Sequence, residues 1–304
     1  KAKITTPVST TRSSTIEILS KLPKPPDFQR HLLKNTPIEQ IWNYINPMML
    51  YGRHLGIKGH IARKLNTPSP QILREIEAED KKAFQILQSV EAVKEEFKGT
   101  EVLRPHAVFQ FFHAGSFGNS VFVTNDEKLL TIEFPRQRKP DGLSLSDYVA
   151  PVSNASPKRE ELKDTLSGFV VTVGKGVREL SEQFKNKGDY LKSHILQALA
   201  MESAEAYAEF LHSQIRKMWG HEDPLEITNL ERFQAKYHGK RYSFGYPACP
   251  RLDDQKILWD LLNPTEIGVE LTDGFMMDPE ASVSAIVFHH PGSSYFSVGV
   301  EENA

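Results

Sequence analysis

The run SVFVTNDEKLLTIEF, residues 120–134, constrains the fold more than any other stretch of the chain. Two short β-branched and aromatic segments, Ser120–Thr124 and Leu129–Phe134, flank Asn125 and Asp126, which favour a tight turn. Such a pair closes locally as an antiparallel hairpin, and a sheet that grows by hairpins needs no crossover helices. Ala107–Phe112 reads as another strand, set off by Gly115, Gly118 and Asn119. Gly168–Val173 is a further one, ended by Gly174-Lys175-Gly176. Ser282–Phe288 and Tyr295–Val300 are two more, joined by His289-His290-Pro291-Gly292. Helical periods hold over Pro37–Tyr44, with Thr36 as N-cap, over Ser69–Glu96, and over Gly188–Trp219. In the last of these Leu191, Ile195, Leu199, Tyr207, Leu211, Ile215 and Met218 recur at helical steps. Helices and strands do not alternate regularly, which favours α+β over a doubly wound parallel sheet.

The 304 residues include 37 basic and 39 acidic ones, and the absence of a dense basic tract argues against nucleic acid as the main partner. No run approaches the ~18 consecutive apolar residues of a membrane span. The single cysteine, Cys249, excludes an intrachain disulfide and makes a reducing, cytoplasmic setting the default. Residues 1–36, with Pro7, Pro23, Pro25 and Pro26, read as an extended arm. The arm is anchored to the body through Ile16, Ile18, Leu19 and Leu22, and residues 37–304 form the domain proper. A start of this kind without an initiating Met suggests a piece of a longer polypeptide.

The densest unusual segment is Arg241–Pro250, RYSFGYPACP, whose two prolines, glycine and three aromatics predict a structured loop. Arg241 can hold a carboxylate, and Tyr246 offers a ring face and a hydroxyl. On the residues alone, a rigid corner packed on the core is the better account. Cys249 has no CxxC partner and reads as a small buried apolar group. His289 and His290 are adjacent and point to opposite faces, poor spacing for one ion even with His113, so no metal site is expected. Gly174-Lys175-Gly176 lacks the full GxGxxG spacing and reads as a strand-to-helix turn. Glu202, Glu205 and Glu209 share a helical face, which is most simply solvated.

In order along the chain, several motifs resemble the activation domain of cobalamin-dependent methionine synthases. The most specific is Arg241 to Pro250, whose R-x-x-x-G-Y-P-A-C-P is similar to that family's S-adenosylmethionine loop. Others are Pro7–Arg12, Tyr44-Ile45-Asn46, Ser146-Asp147-Tyr148-Val149-Ala150-Pro151, Gly168-Phe169-Val170-Val171-Thr172, Ala204–His212, Leu271–Met277, Ala281–Ser284 and Ser294-Tyr295-Phe296. The resemblance implies a C-shaped α+β domain built on a bent antiparallel sheet flanked by helices, with S-adenosylmethionine on its inner surface. It implies a reactivation role, in which the ligand's methyl group remethylates cob(II)alamin after one-electron reduction by flavodoxin or a similar reductase. Cobalamin would be held by a partner module, since this chain shows no DxHxxG motif, and the isolated chain would not turn over.

By the same resemblance Arg241 pairs the ligand carboxylate, while Ser243 and Gly245 allow close backbone approach. Tyr246 and Tyr295 give aromatic or hydroxyl contacts, Phe296 contributes through its backbone, and Glu205 stands on the helix wall. No residue is expected to act as a general acid or base. One departure is Asn46, where the family has Asp as partner of the ligand ammonium; the change implies weaker binding. That substitution keeps open a non-catalytic interaction domain that has lost the ligand. A metal-dependent hydrolase using His113, His289 or His290 is the third reading.

Overall fold

In the computed structural model, which describes residues 9–125 and 128–299, every residue of Asp164–Thr172 is buried. A strand buried on both faces must lie inside a covered sheet, and the rest of the chain is arranged around it. In chain order the elements are β1 (His31–Leu33), α1 (Ile38–Trp42), a π-helical turn (Met48–His54), α2 (Gly59–Lys64), α3 (Pro70–Glu79) and α4 (Lys81–Phe97). There follow β2 (His106–Phe117), β3 (Ser120–Thr124), β4 (Leu129–Glu133), β5 (Asp164–Thr172), α5 (Val177–Asn186) and α6 (Tyr190–Met218). The last part holds α7 (Asn229–Phe233), β6 (Lys240–Tyr242), α8 (Lys256–Leu262), β7 (Glu270–Leu271), β8 (Met277–Asp278) and β9 (Ser282–Phe288).

The main sheet runs β4-β3-β2-β5-β9-β6, with β1 also on β2, and every pairing is antiparallel. The architecture is therefore α+β, as expected. Because side chains alternate along a strand, β2, β5 and β9 each feed two cores. Phe109, Phe111, Phe169, Val171, Ala285 and Val287 face the helices α1 to α6, whereas Phe112, Val170, Ile286 and Phe288 face the other side. There the loop after β4, the loop after β6 and α8 cover the sheet. Gly168 lets α8 approach: a Cβ there would stand 3.0 Å from Leu258 Cδ2.

Several expectations need correction. His31–Leu33, inside the segment read as an arm, is a strand registered on Ala107–Phe109; Ile16 is buried, but Ile18 faces solvent. Thr36 does not cap α1; its hydroxyl bonds the Tyr207 hydroxyl at 2.8 Å. Ser69–Glu96 is two helices, because Asp80 takes an extended backbone (φ −148, ψ 91) and its carboxylate accepts from Ala83 N, starting α4 afresh. Ser69 caps α3 by accepting from Ile72 N. Tyr295–Gly299 forms no strand; Val298 N donates to Pro247 O at 3.0 Å, tying the segment to the loop after β6. Pro7, Asp126 and Val300 lie outside the described residues. No helix among the described residues is long and apolar enough to cross a membrane.

Candidate functional site

Arg241 sits on β6 directly opposite Val287 of β9, so its side chain projects to the helix side of the sheet, as Val287 does. The expectation that Arg241–Pro250 holds no strand thus fails for its first two residues, whose ladder bonds to β9 fix where the arginine points. Along α6, Glu205, Glu209 and His212 follow at steps of four and three, and that stripe meets Arg241. Nη1 of Arg241 donates to Glu209 Oε2 at 3.0 Å and to His212 Nδ1 at 3.1 Å, with the Tyr237 hydroxyl at 3.4 Å. Among the described residues no hydrogen bond leaves Nε or Nη2. Burial alone would lower the Arg241 pKa, but Glu209, ahead of the nearby tyrosines and Glu205, raises it overall, so the guanidinium stays charged.

Beyond β6 the chain folds into a tight loop. Gly245 has φ +87, and its N–H donates to Cys249 O at 2.9 Å while Cys249 N donates to Tyr246 O at 3.0 Å. A Cβ at Gly245 would be strained by that φ and would stand 3.2 Å from Leu252 Cδ1. The Ser243 hydroxyl donates to Ser284 O at 2.6 Å, which staples the loop to β9. The Cys249 thiol donates to Ser243 O, and burial pushes its pKa up to about 12, so it is no ready nucleophile.

These elements wall a cleft of about 650 Å³ that includes Glu205, Arg241, Ser243, Tyr246, Tyr295 and Phe296. A second lobe of about 540 Å³ includes Asn46, Arg53, His54, Glu202 and Glu209, and the two lobes share Met201, Glu205, Arg241, Glu280, Ser282 and Val283. The first lobe is lined mainly by the loop and by Phe275 and Met276; the second is charged. Tyr246 and Tyr295 are exposed at 63% and 57%, so their rings are available to a ligand. The Tyr242 hydroxyl donates to Ser294 O at 2.7 Å and Ser294 N donates to the Tyr148 hydroxyl at 3.2 Å, which holds the segment carrying Tyr295 and Phe296 against the sheet.

The carboxylates of α6 are not a solvated face, contrary to expectation. Glu202 is buried and its Oε1 lies 2.8 Å from His54 Nε2; burial raises its pKa against the opposing pull of His54. Glu209 is buried against Arg241, and its Oε1 has no partner among the described residues. Glu205 alone keeps an accessible side chain, yet it lies in the cleft, whose walls raise its pKa by desolvation while Arg241 pulls the other way.

The expected site residues come together with two qualifications. Gly245 shapes the loop and does not line the cleft. Asn46 lines the second lobe, but its Oδ1 already accepts from Met48 N at 3.0 Å, capping the π-helical turn. Sequence reasoning missed the part of His212 and Tyr237, which stand behind Arg241 where β6 meets α6, and of Glu280, which lines both lobes. The histidines weighed as metal ligands stand apart: His113 stacks on Phe28, His289 Nε2 lies 2.6 Å from Asp164 Oδ1, and His290 Nε2 donates to Glu17 O. Among the described residues no three His, Cys, Asp or Glu side chains cluster for a metal. At Gly174-Lys175-Gly176 the chain turns from β5 into α5, and a Cβ at Gly174 would meet Ala281 Cβ at 2.8 Å.

Residues 37–303 match the family described as vitamin B12 dependent methionine synthase, activation domain. The chain is 28% identical to methionine synthase of Mycobacterium tuberculosis (strain ATCC 25618 / H37Rv) over 310 residues, covering 96% of the chain and 24% of that protein. It is 32% identical to methionine synthase of Mycobacterium leprae (strain TN) over 207 residues, covering 63% of the chain and 17% of that protein. A crystal structure of the MetH reactivation domain bound to AdoHcy superposes with a TM-score of 0.75 at 27% identity, covering 91% of this chain and 83% of that one. The chain thus spans about a quarter or less of the length of these two methionine synthases.

Proposed function

The chain belongs to the family of vitamin B12-dependent methionine synthase activation domains, and from that premise we propose that it binds S-adenosylmethionine in the two-lobed cleft and presents its methyl group for cobalamin reactivation. The observation that carries this reading is Arg241: charged, fixed at Nη1, and with a bond-free Nε–Nη2 edge at the waist of the cleft. That edge is the geometry that grips a carboxylate through two parallel hydrogen bonds. A cleft of about 650 Å³ lies within the usual size of small-ligand sites, and the similar domain of known structure was solved with AdoHcy.

Each part of the ligand then has a partner of matching chemistry. The carboxylate takes Arg241, and the ammonium takes Glu205, an accessible carboxylate at the junction of the lobes on the same wall as Arg241's anchor Glu209. Asn46 is a poor substitute, since its only acceptor atom is engaged by Met48 N. The sulfonium and adenine lie in the loop lobe, where Tyr246 and Tyr295 offer ring faces and the backbone of Ser243 and Phe296 offers polar contacts. S-adenosylmethionine supplies an electrophilic methyl group; the chain's residues bind it, orient it and leave one side of the cleft open. Cobalamin belongs on a separate module of the parent methionine synthase, with flavodoxin or a similar reductase as electron donor and the cytoplasm as the setting.

Calorimetric titration of the chain with S-adenosylmethionine and with AdoHcy tests this. Saturable binding that Arg241→Ala abolishes, with the variant's circular dichroism unchanged, is the expected result. A folded chain that binds neither ligand would instead be an interaction domain that kept the fold and lost the site.

A further inference from the structure

His212 has no accessible surface, yet it is bonded to Arg241, the cation at the junction of the two lobes. A guanidinium only donates, so Nδ1 of His212 must be the acceptor and its single proton must sit on Nε2. That Nε2 is buried without a partner among the described residues, an arrangement that costs stability. Burial, then the neighbouring Arg216, Arg241 and Lys240, keep the imidazole neutral. The ring is held from behind: Tyr237 stands edge-on to it with centroids 5.1 Å apart, and Arg216 lies 3.8 Å over the Tyr237 ring. Arg216 is itself fixed through Nε and Nη2 by both carboxylate oxygens of Asp223, at 2.7 and 2.6 Å.

Arg241 Nη1 has two close acceptors, Glu209 Oε2 and His212 Nδ1, with the Tyr237 hydroxyl farther off at 3.4 Å. Glu209 supplies the compensating charge. His212 supplies a second point, without charge, that sets the rotation of the guanidinium plane. We propose that His212 is a positioning residue, a neutral acceptor that turns the free Nε–Nη2 edge of Arg241 toward the carboxylate of the bound amino-acid ligand. The inference rests on the S-adenosylmethionine reading of the cleft and deepens it.

The experiment compares S-adenosylmethionine with decarboxylated S-adenosylmethionine, which keeps the ammonium, sulfonium and adenine, on wild type, His212→Gln and His212→Asn. The Asn amide oxygen stands where Nδ1 stands, whereas Gln moves the acceptor outward. We expect His212→Gln to weaken S-adenosylmethionine about tenfold, the loss of one well-oriented charged hydrogen bond. The decarboxylated ligand should stay within about twofold of wild type by the same reasoning, and His212→Asn should restore most of the S-adenosylmethionine affinity. A His212→Gln loss equal for both ligands, or no loss, overturns the positioning role, as does a wild type that does not discriminate between the two ligands. Absence of S-adenosylmethionine binding in wild type overturns the reading of the cleft itself. A His212→Gln chain that fails to fold leaves the decision to His212→Asn, whose selectivity for the carboxylate must match wild type.

Discussion

Both carboxylate oxygens of Asp147 are held by Arg136, Oδ2 from Nη1 at 2.6 Å and Oδ1 from Nη2 at 2.8 Å, and neither side chain reaches solvent. Asp147 also accepts from Ser144 N and Ser13 N, and Arg136 also donates to Gly142 O. The pair therefore joins the leading arm, the loop after β4 and the short turn that carries Tyr148. Removing one partner strands a buried charge, so Asp147→Ala should cost about 3–5 kcal/mol. Urea unfolding checks it, and a loss below about 1 kcal/mol would mean that water reaches the pair.

Arg241→Lys should not rescue the cleft. Lysine keeps the charge but cannot offer two parallel donors, so S-adenosylmethionine affinity should fall about tenfold or more. Equal affinity in the variant would show that a point charge suffices at this position.

Binding should weaken in acid, and earlier than an ordinary carboxylate would dictate. Desolvation raises the Glu205 pKa in the free chain, and the proposed pairing with the ligand ammonium needs the ionised form. Affinity is thus full above that raised pKa and falls as pH drops through it. Titrations from pH 8 to 5 should show the decline in wild type and a flatter profile in Glu205→Gln. For folding the sign is opposite: a carboxyl raised in the folded state adds stability as pH falls and removes it as pH rises.

Asn46→Asp offers a gain. One carboxylate oxygen can keep the bond from Met48 N, leaving the other to face the second lobe beside Glu202 and Glu205. S-adenosylmethionine should bind several-fold tighter, about 1 kcal/mol for one added partly exposed ion pair. Unchanged affinity would place the ligand ammonium out of reach of position 46.

The hairpin β3–β4 and the long helix α6 were legible because each repeats one period without interruption. Asp80 shows why other boundaries were not. Apolar residues on both sides of it keep a helical period, and only its carboxylate turning onto Ala83 N separates α3 from α4. Tyr295–Gly299 alternates like a strand, but Val298 N is drawn to Pro247 O, and Ser294 N just before the segment to the Tyr148 hydroxyl. At the cleft, Arg241 announced itself through the spacing of its own loop. Its anchors on α6, some thirty residues earlier, carried no local signal: a buried Glu209 and a solvated one look alike until β6 is placed beside them.

The tie from Val298 N to Pro247 O, with Tyr242 gripping Ser294, joins two stretches of chain about fifty residues apart into one wall. A ligand arriving there meets a surface already set, and little ordering entropy stands between encounter and capture. Such a wall works as a tray rather than a trap: it can be loaded and emptied without reshaping itself, which suits the proposed role of passing a methyl group to chemistry elsewhere.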